Sequence, residues 1–203
     1  MTDYKLEISG VYGTGRSWST GVHASSTNDL ATTQIDWAAQ VNSFWTNGSH
    51  GLETLYATTT VLTAIKSIQL DATMHAVQEL VSPVTLAGTD ATQEGPNQDA
   101  VLVSLRNLAA GERNRGRMYL PCPAEDTFAE GVLGATEATR VSTAIDALFS
   151  GMRTAGYTFF VFNRKTSPRD PVLFTKKTLT NEKTDRVLRT QRRRIRKELA
   201  IYV

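Results

Sequence analysis

The sequence predicts an α+β fold, with largely antiparallel sheets and two helices packed on them. Three observations lead there. Several short segments alternate apolar with polar residues, which is the period of a half-buried strand. Two longer segments repeat their apolar residues at helical spacing. Threonine supplies 28 of the 203 residues, including the run Thr58-Thr59-Thr60, and β-branched side chains favour strands.

The elements follow in order. Tyr4, Leu6 and Ile8 alternate with polar residues, Gly10, Gly13 and Gly15 punctuate a connection, and Trp18, Thr20 and Val22 resume the alternation. Residues 3–25 therefore read as a hairpin. Asn28 and Asp29 are good helix caps, and Leu30, Trp37, Val41, Phe44 and Trp45 then share one helical face, which Asn47-Gly48 ends. Val61, Leu62, Ile65, Ile68 and Leu70 fit either a helix face or a strand with an irregularity. The threonine run and β-branched content favour strands near 58–71 and 73–81. Residues 83–97 read as a surface loop through Gly88, Asp90, Gly95 and Pro96. Residues 100–105 form an apolar run typical of a buried strand, and Met118-Tyr119-Leu120 is another, stopped by Pro121-Cys122-Pro123.

Val141, Ile145, Leu148, Phe149 and Met152 define the second helix, with Gly156 closing it. Residues 157–162 follow as a buried strand, 164–170 as a turn and 172–180 as a further strand. Strands, helix, strands thus occur twice. The order suggests two similarly built ββαββ halves, 1–97 and 98–185, inside a single domain that ends in a basic tail, 186–203. No residue-level repeat accompanies the repeated order.

Composition excludes several classes. No apolar run approaches the roughly 18 residues of a membrane-spanning helix, so no membrane partner is expected. The first residues, Met1 to Glu7, lack the apolar segment of a signal peptide. Cys122 is the single cysteine, so no intrachain disulfide forms, and assembly in a host cytoplasm fits. Held between two prolines, it reads as structural. His23, His50 and His75 stand far apart, without the spacing of a metal site, and read as surface or edge-strand residues. Gly13-Thr14-Gly15-Arg16 lacks the pattern of a phosphate loop, and Asn47-Gly48-Ser49 reads as a turn rather than a glycosylation site. No catalytic cluster emerges, so the expectation is no enzyme, no metal and no cofactor.

The net charge of +2 hides an asymmetry. Residues 1–100 hold Lys5, Arg16 and Lys66 against ten carboxylates, a net of −7, whereas residues 101–203 hold 19 Lys and Arg against ten, a net of +9. Such a chain suits an acidic partner for its second half, or head-to-tail pairing between copies. Two basic clusters lie in that half. Arg106, Arg113, Arg115 and Arg117 fall within twelve residues, and the last three alternate as on one face of an extended segment. Arg186, Arg189, Arg192, Arg193, Arg194, Arg196 and Lys197 also fall within twelve residues, with no carboxylate between them. Arg189, Arg193 and Arg196 would share a face if this stretch were helical. Polyanion contact, docking onto the acidic half of a neighbouring subunit, and a solvated tail all remain open. With no aromatic residue in the cluster, stacking on bases is not expected.

The segment Gln98-Asp99-Ala100-Val101-Leu102-Val103-Ser104-Leu105-Arg106, with Gly111 to Arg117 and Met118-Tyr119-Leu120-Pro121, resembles a "DALVxxLRT…GRRNRGRxYLP" pattern. That pattern belongs to a family of small structural proteins of phages and related environmental viruses. Phe160-Val161-Phe162-Asn163-Arg164 is similar to the family's "VVVSR"-like strand, and Arg189-Thr190-Gln191-Arg192-Arg193-Arg194 to its "DTQRRR" signature. The resemblance covers about residues 98–197, and the first half is similar only in element order. Glu112 stands where an arginine is usual, and Arg189 replaces the acidic residue before Thr190. The resemblance implies a virion structural protein, assembled in many copies, with a capsid or coat component as the first expectation. A tail or head–tail connector component, or a nucleic-acid-binding protein outside the virion, are the alternatives. Its partners would be identical subunits, other virion proteins and, without sequence preference, genomic nucleic acid.

Overall fold

The computed structural model describes residues 1–12, 16–53, 60–84, 99–106, 115–121, 128–129, 132–133, 135–165, 173–178 and 187–192. Strands β1 (Thr2–Tyr12) and β2 (Arg16–Ser26) form the expected hairpin, in register from Thr2 opposite Ser26 to Tyr12 opposite Arg16. Helix α1 (Leu30–Thr46) follows. Asp29 caps it, accepting from the Thr32 backbone N–H at 2.8 Å, and that bond holds the Asp29 carboxyl below its usual range. Asn47 ends the helix by donating its N–H to the Ser43 carbonyl, and its Oδ1 then accepts from the Ser49 N–H, which makes 47–49 a turn.

The ambiguous segment resolves into strands β3 (Thr60–Leu70) and β4 (Ala76–Pro83). A tight turn joins them, in which Asp71 Oδ1 accepts from the backbone N–H groups of Thr73 and His75. Strands β5 (Asp99–Arg106) and β6 (Arg115–Pro121) come next, then the two-residue strands β7 (Phe128–Ala129) and β8 (Val132–Leu133). Helix α2 (Ala135–Thr154) closes with Gly156 at φ +92°. Tyr157 donates to the Met152 carbonyl and Gly156 to that of Arg153, so the left-handed glycine satisfies the last carbonyls. Strands β9 (Thr158–Lys165), β10 (Leu173–Thr178) and β11 (Val187–Arg192) complete the described chain. The loop expected at 83–97, the turn expected from 164 and Cys122 lie largely or wholly outside the described residues, and β9 runs through Arg164 to Lys165.

The α+β class holds. A six-stranded, wholly antiparallel sheet has the order β10-β9-β2-β1-β3-β4, and a three-stranded sheet the order β11-β5-β6. Both helices lie on one face of the large sheet. Tyr4, Leu6 and Ile8 of β1 and Val22 and Ala24 of β2 pack with Trp37, Val41, Phe44 and Trp45 of α1 and Ile145, Leu148 and Met152 of α2. Trp37 is fully buried, and its indole N–H donates to the Glu7 carbonyl at 3.1 Å, which ties α1 to β1. Phe149 meets Phe159 edge-to-face, with centroids 4.6 Å apart. Met118 and Leu120 of β6 join the same core, so the small sheet packs against it.

Two expectations need correction. The chain does not form two equivalent ββαββ halves. The second half splits its strands: β9 and β10 extend the sheet of the first half through the short pairing of His23–Ser25 with Thr158–Phe160, while β5 and β6 pair elsewhere. Element order alone carries no information about which edges meet. The segment from Arg186 is not a helix over its described part. Residues 187–192 are a strand on β5, because Val187, Leu188 and Thr190 suit a ladder better than a helix.

Candidate functional site

The small sheet carries five of the eleven basic residues singled out in the sequence. In β5 and β6, Arg106 stands directly opposite Arg115, and Ser104 opposite Arg117. From the other side, β11 sets Val187 opposite Ser104, Arg189 opposite Leu102 and Arg192 opposite Asp99. Opposed positions in an antiparallel ladder share a face, and faces alternate along each strand. The positions of Arg106, Arg115, Arg117 and Arg189 therefore fall on one face. Met118 and Leu120, which are buried in the core, occupy the other. Arg192 falls on the Met118 side, at the end of the sheet beside the Asp99 position. The Arg189 position, from the C-terminal cluster, is thus brought onto one face with three positions more than 70 residues earlier in the sequence. Arg113, Arg186, Arg193, Arg194, Arg196 and Lys197 lie outside the described residues.

Among the described residues no carboxylate occupies a position on that face. Cross-strand Cβ atoms in opposed pairs are about 5 Å apart, and like charges placed there destabilise the pair. An anion seated on the face would offset repulsion between the like charges, and arginine's planar fork suits phosphate or carboxylate.

Three further polar clusters occur elsewhere. On the helix-free face of the large sheet, Lys5 pairs with Glu7, and Lys66 with Glu79 at 2.9 Å. His23 lies on this face, on an interior strand rather than an edge, with its ring 5.7 Å from that of Phe160. Burial and then the Lys5 ammonium hold its imidazole below the ordinary value. At the junction of the two helices, the Tyr157 hydroxyl donates to Asp36 Oδ2 at 2.9 Å and lies 3.1 Å from Thr33 Oγ1. The Asn28 side chain donates to Asp36, the Ala155 carbonyl and the Tyr157 oxygen, and Tyr4 donates to the Asn28 carbonyl at 2.6 Å. Burial pushes the Tyr157 phenol up, so this network holds a protonated tyrosine and acts as a brace.

The third cluster lines an open cleft of about 590 Å³, formed by Gly48, Ser49, His50, Thr136, Thr139, Arg140 and Thr143. Ser49 Oγ lies 3.2 Å from His50 Nδ1 but also 2.7 Å from Asn47 Oδ1, and Arg140 Nε donates to the Gly51 carbonyl. Among the described residues His50 Nε2 is buried without a hydrogen-bond partner, and no carboxylate orients the ring. Among the described residues no group of His, Cys, Asp and Glu side chains could hold a metal ion. Sequence reading missed both the Asn28–Asp36–Tyr157 brace and this cleft. Thr33 and Asp36 beside Trp37 on α1 were the available signal for the brace.

Comparison of the chain with protein-family models, with curated proteins and with solved structures gave no match. Nor does any described helix have the length and apolar character to cross a membrane.

Proposed function

We propose that the chain is a structural protein of a virion, assembling in many copies, most simply as a capsid or coat component. The observation that supports this best is the arginine face of the small sheet. Arg106, Arg115, Arg117 and Arg189 share it by register, although their own sheet gives them no counter-charge at those positions. Genome phosphate or the acidic half of a neighbouring copy would supply it, and neither requires sequence recognition. The resemblance in residues 98–197 to small phage structural proteins points the same way, because it spans both arginine clusters.

The test combines particle imaging with charge reversal. Purified protein should form particles, rings or tubes in negative stain, and assembly or nucleic-acid content should fall in 1 M salt. Arg106→Glu, Arg115→Glu and Arg117→Glu together should reproduce that loss at low salt. A chain that stays monomeric while shifting DNA or RNA in a gel would instead be a nucleic-acid-binding protein outside the virion. Assembly unaffected by both salt and the triple variant would remove the arginine face from the account.

A further inference from the structure

We infer that the large sheet continues from one copy into the next, with the outer edge of β4 pairing antiparallel with the β10 edge of a second copy. This rests on the self-assembly proposed above and names the surface that performs it.

Strand order turns the charge asymmetry of the sequence into a spatial one. At one end of the sheet lies β4, from the half carrying −7; at the other lies β10, from the half carrying +9. Among the described residues nothing pairs with the outer edge of either strand. The sole charged residue of β4 is Glu79, already paired with Lys66 of β3, whereas β10 contains Lys176 and Lys177 and no carboxylate. Adjacent strand positions lie on opposite faces, so each face of the β10 edge carries one of the two lysine positions.

Native proteins usually blunt an open edge with lysine, proline or a covering element. Here β4 presents Val77 at 63% exposure and Val81 at 47%, carries no basic residue, and reaches proline only at its last position. β4 thus lacks these guards, whereas the two lysines of β10 guard it against a like edge and leave an edge without basic residues, such as β4, as its match. Geometry selects the partner. Six strands, each antiparallel to the next, leave β10 and β4 running in opposite directions. A copy displaced along the sheet therefore offers its β10 antiparallel to β4, and the ladder continues. Pairing β10 with β10 would oppose four lysines, and pairing β4 with β4 would stop at a dimer. At about 4.8 Å per strand the repeat along the sheet is roughly 29 Å, and sheet twist turns successive copies into a ring or a helical row.

The test is a charge swap on the full chain. In variant A, Val77→Lys and Gln78→Lys make the β4 edge basic; both positions are exposed. In variant B, Lys176→Glu and Lys177→Glu make the β10 edge acidic. Sedimentation and negative stain should show that each variant, with a wild-type melting temperature, needs at least about tenfold more protein to assemble, equivalent to about 1.4 kcal/mol per contact. An equimolar mixture should assemble near the wild-type concentration, because the edge of A now complements that of B. If folded A and B each assemble as wild type does, the edge contact is wrong while self-assembly stands. If wild-type protein is itself monomeric at every concentration, both fall.

Discussion

Replacing Trp37 by alanine measures how firmly α1 is fixed to the sheet. Trp37 is fully buried in the core, and its indole N–H donates to the Glu7 carbonyl at 3.1 Å. A tryptophan side chain buries about 200 Å², and at about 25 cal/mol per Å² its removal forfeits roughly 5 kcal/mol, of which alanine recovers a part. The rigid surroundings add a cavity cost, so about 3–5 kcal/mol is the expected loss, a large share of the stability of a domain this size. Trp37→Phe separates the two contributions. It keeps most of the volume and deletes the hydrogen bond, so about 1–2 kcal/mol should go, including the cost of the carbonyl left behind. Urea denaturation followed by circular dichroism gives both numbers, provided the slope with denaturant is unchanged. A loss below about 1 kcal/mol for Trp37→Ala would mean that the core does not close around this residue, and the helix-on-sheet account would fail.

Three other outcomes follow from the structure. Because the folded state lowers the His23 pKa, the unfolded chain binds the extra proton first, so stability should decline as pH falls below about 6.5. His23→Gln should flatten that part of the stability–pH curve, and an unchanged curve would clear His23 of the effect. Gly156→Ala forces a side chain into the left-handed region at φ +92° and should lower stability by about 1–2 kcal/mol, read from denaturant melts; a neutral result would mean another residue closes α2. Truncation after Asp185 removes β11 and opens the edge of β5, whereas truncation after Arg192 keeps it. The shorter chain should show markedly weaker protection of β5 amides by hydrogen exchange, and equal protection in the two chains would show that β11 does not support β5.

The sequence made most single elements readable because their signals are local. Leu30, Trp37, Val41, Phe44 and Trp45 recur at helical spacing within 16 residues, and all five are buried. The alternation in Tyr4, Leu6 and Ile8 likewise marks the face that packs on the helices. What stayed hidden is non-local. Nothing in the residues around His23 or Phe160 announces that β2 and β9 pair, because that ladder rests on three opposed positions across more than 130 residues. The strand at 187–192 stayed hidden for a related reason. Its charge density drew attention from Val187, Leu188 and Thr190, whose strand preference becomes decisive only once β5 offers an edge. The brace of Asn28, Asp36 and Tyr157 has no motif at all, and Asn28 looked like a second capping residue beside Asp29.

The attachment of β11 to β5 has a consequence for the order in which the molecule is made. Residues 99–106 leave the ribosome some 80 residues before 187–192, which complete their sheet. Until then β5 has only β6 beside it, and the Arg189 position is missing from the surface that carries Arg106, Arg115 and Arg117. Because β11 is synthesised last of the described strands, completion of this sheet comes late. A nascent or prematurely terminated chain therefore lacks the finished arginine surface even when its main sheet and α1 are formed. If that surface recruits genome or neighbour, a chain that stops before β11 offers three of its four aligned arginine positions.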